Sequence, residues 1–172
     1  MQMVKRIFGG FFLFILLLWL LAPKQELYYL LEKSLKENNI IISNETLKDS
    51  WIGLKIDHAD IYVEGAKIAT NRELNLIFLF LYAKLSIEDL EIDKSLHRVA
   101  PKKIDNLTAT YSVLNPLKVI LKGSGSVGEI EGTVSLKERR VEILFPKPKD
   151  LNTIKKFLKK DTKKGWYYEK TY

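Results

Sequence analysis

Within the stretch Leu54-Lys-Ile-Asp-His-Ala-Asp-Ile-Tyr-Val63, one of the chain's two histidines stands between two carboxylates, so that Asp57, His58 and Asp60 fall within four residues. An imidazole flanked by carboxylates suits metal ligation or general acid–base catalysis. A metal site needs three or four convergent ligands. His58 and His97 have no cysteines and no HxH or HxxxH partner to complete one. His97, in SLHRVAP, reads as a loop residue.

A second copy of the pattern weakens the catalytic reading further. LKIDHADIYV, from Leu54, aligns without a gap on LSIEDLEIDK, from Leu85, as Leu-x-Ile-(Asp/Glu)-x-x-(Asp/Glu)-Ile, with Asp89 where the first copy has His58. Both copies lose step in the same place. Leu54 and Ile56 alternate, then Ala59, Ile61 and Val63 continue one residue out of phase, and Leu85 and Ile87 give way to Leu90 and Ile92 in the same manner. A slip of one residue in a period of two is the mark of a bulge or kink, which restores the inward face after a local bend. His58 is therefore expected at a bend, with Leu54 and Ile56 on the same face as Ala59, Ile61 and Val63.

Gly123-Ser-Gly-Ser-Val-Gly128 contains a GxGxxG string, which cradles a pyrophosphate when it joins a strand to a helix. Here it leads into EIEGTVSL, a second strand, so the glycines are expected to form a hairpin turn and to permit close strand packing. Neither a nucleophile elbow nor a pair of carboxylates in a catalytic context occurs. Catalytic residues, metal and cofactor are all expected to be none, and the chain is not expected to be an enzyme.

The elements that carry these residues are mostly strands. From Ile40 the hydrophobic period is two, through IIIS, WIGLKID, ADIYVEG, AKIAT, LNLIFLFLYAKLSIEDLEID, NLTATYSVL, LKVILKGSG, EIEGTVSL and RVEILF. Glu64-Gly65, Asn115-Pro116 and Lys137-Glu138-Arg139 supply turns short enough for hairpins. The fold class is thus mainly β, a twisted antiparallel sheet over residues 39–146. LIFLFL, Leu76 to Leu81, is apolar on both alternations and predicts a strand buried on both faces, the alternative being a segment that dips into a membrane.

Helical pattern flanks the sheet. Residues 7–23 hold no charge, and a helix of that length reaches roughly 25 Å, enough for a thin hydrocarbon core. Ala22 is preceded by Leu20 at the position where a signal peptidase wants a small residue and is followed by Pro23, so residues 1–23 are expected to stay as a single transmembrane anchor, through Ile7, Phe11, Phe14, Leu17, Trp19 and Leu21. Lys5 and Arg6 before the span favour a cytoplasmic N-terminus and a periplasmic remainder at a bacterial inner membrane. Residues 24–38 follow as a short amphipathic helix with Leu27, Leu30, Leu31 and Leu35 at helical spacing and Asn38-Asn39 as its stop.

The net charge of +7 is concentrated near the C-terminus, where residues 147–164 hold eight lysines and two aspartates. Asp150 is placed to cap a helix over LNTIKKFLKK, whose Leu151, Ile154, Phe157 and Leu158 make one stripe, and residues 147–172 read as a basic helix with an aromatic tail. Lys155, Lys156, Lys159, Lys160, Lys163 and Lys164 with Trp166 and Tyr167 suit contact with lipid headgroups or a partner, the alternative being a solvated helix with its tail packed on the domain. Nucleic acid fits on electrostatic grounds only, and a periplasmic location argues against it.

The order of parts, an anchor, APKQELYYLLEKSL, SWIGLKIDHADIYVEG, LSIEDLEI, GEIEGTVSL and a late RRVEILFP, resembles the N protein family of type II secretion systems (GspN). More widely it resembles the AsmA-like envelope proteins. The resemblance implies a single-pass inner-membrane protein whose periplasmic β-domain is an accessory part of an envelope-spanning secretion assembly, with other components of that complex as partners. It brings no catalytic residues. Its AsmA-like side implies lipid binding or transport, with phospholipid sheltered on an apolar face drawn from Leu54, Ile56, Ile61, Val63, Leu76, Phe78 and Phe80.

Overall fold

The computed structural model describes residues 24–79 and 81–172, together with Gly10, Phe11, Leu13, Phe14 and Leu17. Those five are helical, and Phe11, Phe14 and Leu17 are exposed. Ile7, Trp19, Leu21 and Phe80 lie outside the described residues, as does most of the expected span. Among the described residues no helix is long and apolar enough to cross a membrane.

Residues 24–37 form a helix, α1 (Lys24–Glu37), as the leucine spacing predicts, and Asn38-Asn39 closes it with Asn39 in the left-handed region at φ 59°. The residue it buries most deeply is not one of the expected leucines whose burial is described. Tyr28 is buried against the sheet, with Gln25, Glu32 and Leu35 half-buried beside it, while Tyr29, Leu30 and Leu31 point away.

Everything after α1 joins one antiparallel sheet of eleven strands: β1 (Ile40–Ser43), β2 (Thr46–Ser50), β3 (Gly53–Val63), β4 (Ala66–Leu79), β5 (Tyr82–Ile92), β6 (Lys103–Ser112), β7 (Lys118–Gly125), β8 (Gly128–Ser135), β9 (Arg140–Phe145), β10 (Lys159–Asp161) and β11 (Gly165–Thr171). They lie in the order β1-β3-β4-β5-β6-β7-β8-β9-β11-β10, with β2 on the same edge of β3 as β1. From β3 to β9 the sheet is a plain meander: the turns expected at Glu64-Gly65, Asn115-Pro116 and Lys137–Arg139 are too short for anything but hairpins, and the ten residues between β5 and β6 also return the chain to the neighbouring position. Glu64 and Gly65 both take positive φ, 50° and 80°, as a two-residue turn between β3 and β4 requires. The GxGxxG string forms the β7–β8 hairpin, with Gly125 opposite Gly128 and no room for a Cβ at Gly125, which would meet the Lys103 carbonyl oxygen at 2.5 Å.

Three expectations fail here. The LIFLFL run is not buried on both faces: Phe78, Leu79 and Leu81 are substantially exposed, because it ends a long strand and turns at the rim of a single-layer sheet. WIGLKID and ADIYVEG form one strand, and AKIAT continues through Asn71, Arg72 and Glu73 into LNLIFL. The basic C-terminal helix does not form. Lys155–Phe157 make a single 3-10 turn, and the chain then adds β10 and β11. A ten-residue helix is marginal in water, whereas Gly165 to Thr171 gains a full ladder with β9.

Directly paired residues share a face, so the register traces the core. One face carries the row Leu47–Ile56–Leu74–Ile87–Leu107–Gly123–Ile130, and beside it Leu54–Leu76–Leu85–Ala109–Leu121–Gly132–Ile143. At one end of this face Tyr28 packs with Leu54, Ile56 and Ala59, joined by Ile42, Leu47, Leu74 and Leu76. At the other end Leu151 packs with Val127, Ile130 and Phe145, joined by Ile143, Ile154, Leu158 and Trp166. The sheet has two plugs on one face, and no described element packs substantially across β4–β7 between them.

Candidate functional site

His58 sits at a bend, as the phase slip predicts: its φ is 54°, and that of its counterpart Asp89 is 52°. Leu54, Ile56 and Ala59 are all buried in one cluster despite their odd spacing, with Ile61 and Val63 half-buried beyond them. The bend is not a bulge between two strands. Pairing keeps the same offset on both sides of it, Asp57 with Glu73 and Ala59 with Asn71, because β4 changes phase at the same level, from Ala69 and Asn71 to Leu74 and Leu76. β5 does so at Asp89 and β6 at Asp105. A crease therefore crosses β3, β4, β5 and β6 at His58, Arg72, Asp89 and Asp105. It ends as a register shift between β6 and β7, and on the other side as the Asn44-Glu45 break between β1 and β2, where Asn44 has φ 63°. In the sequence only β3 and β5 carry the repeated motif; the slips at Arg72 and Asp105 hide behind polar runs.

On the outer face the carboxylates beside the crease are occupied. Lys48 and Lys55 hold Asp57, and Lys55 reaches Glu73 at 2.7 Å. Asp60 accepts from Lys67 at 2.7 Å, Asn44 at 2.9 Å and Thr70 at 3.0 Å. Asp89 lies between Lys103 at 2.8 Å and Arg72 at 2.9 Å. These ammonium and guanidinium partners hold Asp57, Asp60 and Asp89 below the ordinary carboxylate range. His58 is exposed between carboxylates already paired, and His97 meets the Ile92 carbonyl oxygen at 2.9 Å through Nε2. Among the described residues no three His, Asp or Glu side chains gather as metal ligands. In the opening constellation the structure thus shows a bend at His58 flanked by ion-paired carboxylates.

The inner face offers the candidate site. Leu76, Phe78, Ala83, Leu85, Ala109, Tyr111 and Val119 line an open apolar cavity of about 160 Å³ on β4–β7. A second, of about 290 Å³, shares Phe78, Ala83 and Tyr111 and reaches the ends of the strands at Leu79, Leu81 and Val113. Of the described residues expected to form an apolar face, only Leu76 and Phe78 reach this opening. Leu54 and Ile56 are sealed beneath Tyr28, and Ile61 and Val63 lie across the crease. The sequence reading missed Ala83, Leu85, Ala109, Tyr111 and Val119, although the alternation in YAKLSI and NLTATYSVL marks the first four, and that in LKVILKGSG the last, as positions on one face of their strands.

Two polar features interrupt this face. Asn71, paired between Ala59 and Leu90, is 1% exposed, and neither its amide nitrogen nor its oxygen has a partner among the described residues. Tyr28 donates to Glu45 at 3.3 Å, and burial first, then the nearby glutamates, drive its hydroxyl to titrate far above the ordinary tyrosine range.

The C-terminal lysines sort by face. Lys159 and Lys164, outside, bind Glu169 and Glu142. Lys160 pairs across the ladder with Trp166, which itself pairs with Phe145 on the inner face. The Lys155 and Lys160 ammoniums stand 5.4 and 5.5 Å from the centre of the Trp166 ring, with no described carboxylate within bridging distance. Lys156 lies over Phe157, Lys164 also approaches Tyr167, and Lys163 is exposed in the β10–β11 turn. The expected patch is thus split, and only Lys155, Lys160 and Trp166 converge on the apolar side.

No protein-family model matches the chain, and no curated protein or solved structure matches it either.

Proposed function

We propose that the chain is a non-enzymatic envelope protein, tethered by its N-terminal segment to a bacterial inner membrane with the sheet in the periplasm, whose open inner face shelters the acyl chains of a phospholipid. This is the AsmA-like reading, and one observation carries it: rows of apolar side chains on β4–β7 that α1 and the Leu151–Leu158 segment leave uncovered. Water in contact with such a surface costs roughly 25 cal/mol for each Å² that a lipid chain would cover. Lys155 and Lys160, both close to the Trp166 ring at the end of this face, supply positive charge for the lipid phosphate.

The accessory role in a type II secretion assembly would draw most simply on a free strand edge. Both edges are blunted, one by the break at Asn44-Glu45 and the other by the three-residue, charged β10, so a protein partner too would have to use the inner face.

The test is photolabelling of the full chain in vesicles containing a phospholipid with a diazirine in its acyl chain. Adducts on inner-face residues of β4–β7 are expected, and fewer of them with an anionic probe in the Lys155→Glu/Lys160→Glu protein. Labelling confined to residues 7–23 would refute lipid shelter. Crosslinks from Tyr111 or Val119 to another envelope protein would instead support the secretion role.

A further inference from the structure

The two rims of the sheet, where the turns lie, are unlike. One rim holds the turns at residues 64–65, 93–102, 126–127 and 162–164 and is mostly polar. The opposite rim holds the turns β2–β3, β4–β5, β6–β7 and β8–β9 and the chain's C-terminus, and it exposes Trp51, Ile52, Leu79, Leu81, Val113, Leu114, Leu117, Leu136 and Tyr172. Trp51 is 81% and Leu114 91% exposed, so that neither side chain packs substantially on the described residues. A turn in water is normally polar, and a contiguous apolar strip marks an interaction surface.

The strip is also built as a unit. Neighbouring turns are joined by backbone hydrogen bonds, Phe78 to Ile52 at 2.8 Å, Val113 to Leu81, Leu136 to Leu117 and Tyr172 to Arg139, each at 2.9 Å. Crossing from β3 to β9 at about 4.8 Å per strand, it spans roughly 29 Å measured across the strands. Exposed Lys118, Lys137 and Arg139 flank it, with Glu138 among them. A rim of leucines with tryptophan and tyrosine, bordered mainly by cations, has the chemistry of a bilayer interface, where aromatic rings sit at headgroup depth and cations meet lipid phosphates.

The course of α1 gives independent support. Its C-terminal end meets the polar rim, where the Glu64 amide donates to the Asn39 carbonyl at 2.9 Å. Its N-terminal end lies towards the apolar rim, where Gln25 donates to Asp49 at 2.9 Å, one residue before the end of β2. The N-terminal end of α1, which follows the uncharged stretch 7–23 in the sequence, thus lies on the side that carries the strip.

We infer that this rim rests on the membrane surface, with the β2–β3, β4–β5, β6–β7 and β8–β9 turns dipping into the lipid interface and the strands standing away from it. The cavity bounded by Leu79, Leu81 and Val113 then opens onto the bilayer, which on the reading proposed above makes it the entrance for acyl chains.

The chain has no cysteine, so single labels report without background. In the full chain reconstituted into phosphatidylcholine–phosphatidylglycerol vesicles, Leu114→Cys and Lys163→Cys would each carry an environment-sensitive nitrobenzoxadiazole dye. The dye at 114 should shift to the blue and be quenched by lipid bearing a shallow nitroxide, while the dye at 163 should stay water-exposed and open to iodide. Trp51→Cys should repeat the result for 114 from a different turn. Equal water exposure at all three sites, or burial at 163 instead, would overturn the inference. Lipid photolabelling of β4–β7 with a water-exposed dye at 114 would refute the membrane-resting rim and leave the lipid reading intact; a buried dye without that labelling would do the reverse.

Discussion

The two plugs on the inner face do the same job with different backbones. At one end α1 seals the sheet with a single aromatic, Tyr28, over Leu54, Ile56 and Ala59. At the other, an irregular segment seals it with Leu151, Ile154 and Leu158 over Ile130 and Phe145. Both segments have helical periodicity, yet only the first is a helix. The first has fourteen residues with an asparagine pair to close it, and no strand downstream competes for them. The second is preceded by Pro146 and Pro148 and followed by a strand-forming aromatic run that draws Lys159–Asp161 into the sheet. Helical periodicity thus fixes neither the backbone nor the full set of inward side chains: Tyr28 is buried while Leu30, Leu31 and Phe157 are exposed, and the neighbouring ladder decides whether a helix survives.

If the plugs are separate cores, breaking one should leave the other intact. Tyr28→Ala should cost about 3–5 kcal/mol and Leu151→Ala about 2–5 kcal/mol, as deletions of large buried side chains do. Hydrogen exchange should quicken in β2 and β3 for the first and in β8, β9 and β11 for the second. Equal acceleration at both ends in either protein would mean a single core.

The crease supports only the α1 end. His58→Val, which puts a β-branched residue at φ 54°, should destabilise by about 1–3 kcal/mol, whereas His58→Asn, which tolerates that conformation, should be close to neutral. Complete loss of function in His58→Asn with unchanged stability would restore a chemical role to the imidazole. An effect of opposite sign is expected from Asn71→Leu, which removes two unpartnered polar atoms from the buried side of the crease and should stabilise by about 1–3 kcal/mol in urea unfolding. If it instead abolishes acyl-chain photolabelling at unchanged stability, the amide belongs to the binding face.

The smallest effect is on pH. Asp57, Asp60, Glu73, Asp89 and Asp93, all towards the α1 end, have depressed pKa values, while the C-terminal end has Asp161, held down by the Lys164 and Lys163 amides. A carboxyl group whose pKa is lower in the folded state contributes stability above its unfolded pKa, about 4, and loses it as the pH falls through the folded value. Below pH 4, exchange in β3–β5 should therefore rise before that in β8 and β9. Simultaneous loss would show that the ion pairs on the outer face do not distinguish the two ends.

Much of this fold was legible from residue order alone. Period-two alternation and short turns fixed the meander, the repeated Leu-x-Ile-(Asp/Glu) pattern located the bends at His58 and Asp89, and the setting of the glycines placed a hairpin where a phosphate loop was conceivable. These are local consequences of backbone sterics and of the strict two-residue repeat of a strand. The tertiary structure alone decided that the bends align into one crease, that Lys155 and Lys160 meet over Trp166 while Lys159 and Lys164 do not, and that four apolar turns come together along one rim. Each depends on register between strands distant in sequence, and register places side by side residues that no local period relates.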